Sequence, residues 1–247
     1  MLQTITLLGV KVSRINLSAA KDQICQWVNE KARVYICVAP ASTLVDARRD
    51  PKYCTVINGA SMVTPDGVPV IWLAKLKGCG DITRTYGPDL MRLLCASPDI
   101  RHYFFGSTSQ VINILDHTLR AKHPSIQIVG MTSPPYHATA QVEDEATIKA
   151  INDAAPDILW VGLGSPKQDF WMDINRGRLN VPVIVGVGAA FDFLAGTKAQ
   201  APLWMQQNGL EWLFRLASEP GRLWKRYLIG NSLFIYYAIE DLLRKKS

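Results

Sequence analysis

Ile158-Leu159-Trp160-Val161-Gly162-Leu163-Gly164-Ser165-Pro166-Lys167-Gln168-Asp169 is the stretch whose reading decides the fold. Its first five residues are apolar and end in glycine, as expected of a strand buried on both faces. Gly162 to Gly164 then form a turn, and Pro166 falls where the first turn of a helix is expected, since its fixed φ suits that position and its missing N–H is not needed there. A helix is expected from Pro166 to Asn175. Working outward, the same unit recurs. Upstream lie Val34–Val38, then Arg101–Gly106 leading into a helix that ends near Lys122, with the hydroxyl residues Ser107, Thr108 and Ser109 as N-cap candidates. Ile126–Gly130 and a helix around Thr139 to Asn152 follow, and Val181–Gly188 is the last clear strand.

Strands alternating with helices at this spacing imply an α/β fold, a Rossmann-like, mostly parallel sheet with helices on both faces. Ligands of such sheets sit beyond the carboxyl ends of the strands. Three strands here end in glycine, at Gly106, Gly162 to Gly164, and Gly186 to Gly188, which favours a nucleotide-sized ligand at that edge. None of these loops matches GxGxxG or GxxxxGK[ST], so neither a dinucleotide fingerprint nor a P-loop is expected. After Gly196 the pattern changes to helices rich in Trp, Leu and Arg. The expected organisation is an α/β core over residues 1–196 and a helical C-terminal appendage over 197–247. Pro202–Ala217 and Pro220–Lys246 are expected helical, the second with a break at Ile229-Gly230-Asn231-Ser232.

The 247 residues are 48% hydrophobic and 19% charged, a composition that excludes a disordered or fibrous chain. Five cysteines without a CxxC pair, and four scattered histidines, point to reduced, mostly buried thiols in a cytoplasmic protein and to no metal site. The first eight residues lack a basic n-region and a small-residue cleavage site, so no signal peptide is expected. No apolar run reaches the roughly 18 residues needed to span a bilayer. The formal charge is +6, and from Thr197 onward eight Lys or Arg face four Asp or Glu. That surplus suits nucleic acid, anionic lipid or a phosphate-bearing ligand, and charge alone does not choose among them. The apolar, aromatic run Leu233–Ile239, followed by Arg244-Lys245-Lys246, fits a helix in a bilayer interface as well as one docked on the core.

Four stretches carry candidate chemistry. Thr64-Pro65-Asp66-Gly67 is a turn signal, yet it puts a carboxylate at an expected strand end on the ligand side, where Asp66 could deprotonate a hydroxyl. Gly162–Asp169 offers free backbone N–H groups and a helix N-terminus to a diphosphate, with Lys167 and Gln168 at hand; an ordinary strand-to-helix cap would look the same. Asp192, in Gly186-Val187-Gly188-Ala189-Ala190-Phe191-Asp192-Phe193, is a carboxylate in an apolar run that needs a hydrogen-bonding partner, either a nucleoside or a helix N-terminus. In Glu211 to Tyr227, Trp and Leu at helical spacing read as core. Arg215, Arg222, Lys225 and Arg226 read either as a diphosphate clamp or as a solvated face.

Taken together, these stretches resemble the WecG/TagA/CpsF family of bacterial glycosyltransferases, over about Val34 to Phe234. The resemblance implies an inverting, metal-independent enzyme of cell-surface polysaccharide synthesis. It would move a hexose or N-acetylhexosamine from a UDP-sugar to a polyprenyl-diphosphate-linked sugar, without a cofactor, at the inner face of the cytoplasmic membrane. It also implies residue roles. Asp66 matches the general base, Gln168 and Asp192 match positions near the nucleotide, and the C-terminal arginines match an appendage that closes over the donor diphosphate. The candidate substrate-binding set is Asn58, Thr64, Gly106, Gly164, Pro166, Lys167, Gln168, Asp192, Arg215, Arg222 and Arg226. Two departures stand out. Pro40 occupies a loop position where the family usually has Asn, leaving Ser42 and Thr43 as the candidate acceptor loop, and Gln200-Ala201-Pro202 replaces Arg-Ala-Pro. They leave UDP-glucose, a mannosamine derivative and its uronic acid as candidate donors, and self-association into a homo-oligomer stays open. The alternative from another class is a non-catalytic nucleotide-sugar or anionic-lipid binding module. Asp66 beside a phosphate loop argues against it, because pure binding needs no base. A nucleic-acid role has no motif behind it.

Overall fold

The computed structural model describes residues 2–244. A hairpin opens the chain, β1 (Thr4–Leu7) and β2 (Val10–Ser13), antiparallel about a two-residue turn in which Leu8 and Gly9 both take positive φ. That is the turn whose twist matches paired strands. Its alternation is too short to stand out in the sequence, and it is fixed from outside: Val63 N–H donates to Ser13 Oγ at 3.1 Å and Leu8 N–H to Asp241 Oδ2 at 3.2 Å.

The sheet that follows is six-stranded and wholly parallel. Its strands are β3 (Val34–Ala39), β4 (Met62–Pro65), β5 (Arg101–Gly106), β6 (Gln127–Thr132), β7 (Ile158–Gly162) and β8 (Val183–Gly186), in the order β4-β3-β8-β7-β5-β6. The two-residue period of a strand divides each one between two cores. Tyr35, Cys37, Tyr103, Phe105, Leu159, Val161 and Ile184 pack on one face. Ile36, Phe104, Ile158, Trp160, Val183 and Val185 pack on the other. Helices cover both: α1 (Leu17–Glu30), α5 (Gly87–Cys95), α6 (Ser109–Lys122) and α9 (Ala190–Ala195) on the second face, and α2 (Ala41–Arg49), α3 (Pro51–Asn58), α4 (Val68–Leu76), α7 (Glu145–Ala154) and α8 (Lys167–Asn175) on the first. The expected architecture is the one observed.

Three expectations are corrected locally. The helix expected from Thr139 starts at Glu145, because the Asp144 carboxylate accepts from Thr147 N–H at 2.9 Å and caps it there. Pro202–Ala217 is two helices, α10 (Leu203–Gln207) and α11 (Glu211–Ser218), separated where Gly209 takes φ +73°. The expected break at Gly230 is absent. After α12 (Pro220–Trp224) a π-helical turn, Lys225–Ile229, runs directly into α13 (Gly230–Arg244), and Gly230 itself keeps helical angles.

The terminal helix is docked on the core by one face and leaves the other exposed. Phe234 is buried, and Leu233, Tyr237, Ala238 and Leu242 pack against the core. Asp241 pairs with Lys77 at 2.8 Å, and Glu240 with Arg48 at 3.2 Å. On the opposite face Ile235, Tyr236, Ile239 and Leu243 are each more than half exposed. Among the described residues no helix is long and apolar enough to cross a membrane. The basic run Arg244-Lys245-Lys246 falls at the limit of the description, with Lys245, Lys246 and the side chain of Arg244 outside it.

Candidate active site

Every parallel strand delivers its carboxyl end to the same edge of the sheet, and a cleft of about 300 Å³ lies there. Its floor is the glycine loops at the ends of β7 and β8, Gly162 to Ser165 and Val187 to Ala190, with Ser107 after β5, Val38 near the end of β3 and Pro40 after it. Close backbone packing makes this floor. A Cβ on Gly106, at φ +131°, would lie 2.6 Å from the Gly162 carbonyl carbon, and one on Gly162 would lie 2.8 Å from the Phe191 ring. Gly106 therefore sits behind the floor and shapes it from below.

Gln168 ties the two loops together. Its side chain is buried on the first turn of α8. Oε1 accepts from Gly164 N–H at 3.2 Å and from Gly188 N–H at 2.9 Å, and Nε2 reaches Ser165 Oγ at 3.2 Å. Beneath it, Asp169 is fully buried and accepts from Tyr53 O–H at 2.7 Å. Burial pushes its carboxyl up to about 6, against the stabilising bonds from Tyr53 and Ser165. Asp192 lines the cleft from α9 with Lys198 Nζ 3.7 Å away, so its partner is a lysine just beyond the helix, while its backbone carbonyl caps the helix end.

The C-terminal segment forms the roof. Arg215 of α11 lines the cleft, stacked 4.9 Å over the Phe193 ring and 3.5 Å from Tyr227 Oη. Arg226 lines it from the π-helical turn and donates to Ser42 Oγ at 2.9 Å. A second cavity of about 110 Å³ opens on the far side of these arginines, lined by Ser42, Gly67, Val68, Pro69, Arg84, Gly209, Glu211 and Trp212. Pro40, Asp66, Arg215, Arg226 and Tyr227 line both.

Asp66 is thus at a junction. Proline and glycine on either side end β4 and turn the chain, and the Asp66 N–H donates to Ala39 O at 3.2 Å. Its side chain is 16% exposed, and Arg84 Nε stands 3.7 Å from Oδ1. Burial raises the carboxyl to about 6 although the Arg84 guanidinium pulls it down, with Glu211 adding to the rise. A carboxylate poised near neutrality between two cavities can accept a proton from a nucleophile bound in one while the electrophile occupies the other.

Not all of the sequence-derived set meets here. Gly164, Gln168, Asp192, Arg215 and Arg226 line the cleft with Asp66, and Ser42 lines the neighbouring cavity. Asn58 does not: it ends α3 at the opposite edge of the sheet, where Oδ1 accepts from Lys11 N–H at 2.8 Å and Nδ2 donates to Gly9 O. Proximity in sequence to β4 placed it in the set, but three residues of approach and one strand separate it from Asp66. Thr43 and Thr64 are buried in the packing rather than exposed to either cavity. Lys167 faces away, donating to His137 O at 2.7 Å and lying over the Tyr136 ring. Pro166 ends a cis peptide with Ser165 and stands behind the lining. The side chain of Arg222 lies outside the described residues. Sequence reasoning missed Arg84 and Tyr86, which belong to no glycine loop and come between α4 and α5. It quoted Glu211 without giving it a role. Among the described residues no group of three or more His, Cys, Asp or Glu could hold a metal ion.

A model of the Glycosyl transferase WecG/TagA/CpsF family matches residues 5–247. The chain belongs to this family. It is 29% identical over 205 residues to the N-acetylglucosaminyldiphosphoundecaprenol N-acetyl-beta-D-mannosaminyltransferase of Bacillus spizizenii, spanning 82% of this chain and 77% of that protein. The Bacillus subtilis (strain 168) enzyme of the same name is 27% identical over 92% of this chain and 88% of its own. A Staphylococcus aureus (strain MW2) enzyme, also of that name, is 26% identical over 98% and 94%.

Proposed function

We propose that this glycosyltransferase moves a hexose or N-acetylhexosamine from a UDP-sugar to a polyprenyl-diphosphate-linked sugar, with inversion at the anomeric carbon. The relatives' names carry N-acetylmannosamine as the sugar and N-acetylglucosaminyl-diphosphoundecaprenol as the acceptor, and these are the first substrates to try. The observation that carries the reading is Asp66 lining both cavities, beside the glycine loops on one side and the Ser42 cavity on the other.

In this reading the donor diphosphate lies over Gly162 to Ser165 and Gly188, the loops that Gln168 ties together at the floor of the cleft. The acceptor sugar enters the second cavity. Its hydroxyl oxygen attacks the anomeric carbon as the bond to the diphosphate oxygen breaks, and the hydroxyl proton passes to Asp66. A single displacement inverts the centre. Arg215 and Arg226 stabilise the charge that gathers on the departing UDP, the role a divalent ion performs in other transferases. Pro40 offers no side-chain hydrogen bond to the acceptor, which leaves that contact to Ser42, now held by Arg226. Residues 1–196 hold the donor loops, and residues 197–247 close over them. The exposed apolar face of α13 rests at the inner surface of the membrane, near the lipid-linked acceptor.

Release of UDP from a panel of UDP-sugars with a short polyprenyl-diphosphate-sugar acceptor tests this, with Asp66→Asn beside the native chain. Acceptor-dependent release that collapses in Asp66→Asn, while UDP binding persists, is the expected result. Undiminished turnover in the variant would remove Asp66 from the mechanism. UDP binding without turnover on any donor would favour a binding module instead.

A further inference from the structure

Arg84 is the cation nearest Asp66, yet it is bound elsewhere. Its Nη2 donates to Glu211 Oε2 at 2.5 Å and its Nη1 to Gln206 Oε1 at 3.1 Å. Tyr86 lies beneath the guanidinium, 3.9 Å from ring centroid to Cζ, and donates its own O–H to Glu211 Oε1 at 3.1 Å. The side left facing Asp66 is Nε, which is buried without a hydrogen-bond partner among the described residues and is 3.7 Å from Oδ1. Both groups that turn Arg84 away, Gln206 on α10 and Glu211 on α11, belong to the C-terminal segment.

We propose that Glu211 is a positioning residue for the transfer: by holding Arg84 from the C-terminal segment, it keeps that cation from pairing closely with Asp66 and so keeps the base able to take a proton. This rests on the reading of Asp66 as the base. The geometry explains why a base should have an arginine at its side without being quenched by it. An arginine free to fork onto a buried carboxylate would make two charge-assisted bonds and leave a poor proton acceptor. Held by Glu211, Arg84 presents one N–H beyond hydrogen-bonding distance. The remaining charged and titratable groups around Asp66 are Asp89 and Tyr86 on α5 and its approach, Arg215 on α11, and Arg226 and Tyr227 on the π-helical turn. Glu211 raises the Asp66 carboxyl and Arg84 lowers it, in line with the arrangement. The consequence is a link between closure and chemistry. The base becomes competent only when the segment that roofs the donor is in place.

The test is the pH profile of kcat and of kcat/KM for UDP release in Glu211→Gln, Arg84→Gln and the double variant, with Asp66→Asn alongside. In Glu211→Gln the uncompensated Arg84 should move the acid limb down by about one pH unit and lower the plateau kcat several-fold, with the donor KM changed less than about twofold. Arg84→Gln should move the limb the other way, and the double variant should return it towards the native position. Should Glu211→Gln fail to fold, Glu211→Asp decides the matter: a carboxylate one methylene shorter keeps the charge but loosens its hold on Arg84, and the acid limb should still move down. An acid limb that stays in place in the folded variants, with Asp66→Asn inactive, would leave the base standing and reduce Glu211 to a tie between helices. Full turnover in Asp66→Asn would overturn both.

Discussion

Replacing Gln168 by methionine keeps the volume of a buried side chain but removes the one acceptor shared by two loops. Gly164 N–H and Gly188 N–H both point at Gln168 Oε1, at 3.2 and 2.9 Å, and Ser165 Oγ loses its donor as well. An unsatisfied buried donor costs about 1–3 kcal/mol. Both N–H groups border an open cleft that water can enter, so the lower end applies to each, for a total of about 2 kcal/mol. In a chain of this size each kcal/mol shifts Tm by roughly 2–4 °C, which puts the variant about 4–8 °C below the native protein. No room exists for a compensating shift, because a Cβ on Gly186 would already stand 2.9 Å from Gln168 Nε2. Gln168→Glu separates the loop tie from the charge. It retains an oxygen for both N–H groups, so it should lose less stability than the methionine variant. Its carboxylate, however, faces the position proposed for the donor diphosphate. Thermal melts of both variants, with and without UDP, supply the numbers. The methionine variant should lose stability and donor affinity together, and the glutamate variant should lose mainly the stabilisation by UDP. A methionine variant with native Tm and a native donor KM would refute the claim that this side chain holds the floor of the site.

Gly106→Ala should be severely destabilised, by roughly 3 kcal/mol or more, since φ +131° is strained for any side chain and the new Cβ meets immovable backbone 2.6 Å away; soluble yield and Tm report it. Asp66 and Asp169 both have folded-state values raised to about 6. Stability from their protonated forms is therefore full below about pH 4 and is lost as pH rises through about 6. Asp66→Asn should accordingly be more stable than the native chain at pH 7.5, by at most about 3 kcal/mol, with the gap closing by pH 4; a variant no more stable at either pH would contradict the assigned shift. Ile235→Asp with Ile239→Asp, on the exposed face of α13, should reduce flotation with anionic vesicles while shifting Tm by no more than about 4 °C, because each surface change rarely exceeds about 0.5 kcal/mol. Truncation before Thr197 should abolish turnover on the lipid-linked acceptor, and it should also lower Tm, because Phe234 and Leu223 are buried and Asp241 holds both Lys77 and the Leu8 turn.

Much of the site was legible because it is local. A strand that ends in glycine and feeds a helix announces a ligand loop within a dozen residues, and Gln168 and Asp192 could be found from their distance to Gly164 and Gly188. Asp66 was legible for the same reason, as a carboxylate at a strand end. Asn58 misled because nearness along the chain was taken for nearness in space. α3 enters β4 from the amino edge, so a residue before the strand is a sheet's height away from one after it. Lys167 misled differently. Successive residues on a helix point about 100° apart, so its neighbour Gln168 faces the floor while Lys167 faces Tyr136 and His137.

The sequence by itself determined the kind of protein this is. The alternation of apolar strands with helices, the period that splits Leu159 and Val161 from Ile158 and Trp160, and the glycine loops are all short-range patterns, and they suffice for a parallel sheet with glycine loops at its carboxyl edge. The tertiary structure alone decided how that edge is finished. The strand order brings Asp66, just after β4, within one strand of β8, the hairpin is held in place by a helix more than 200 residues away, and Arg84 meets Glu211 across 127 positions. These contacts leave no periodic trace, since a charge pair or a capped turn is set by two or three atoms meeting in space. That is why the glycine floor could be read from the chain, and the surroundings that raise the Asp66 carboxyl could not.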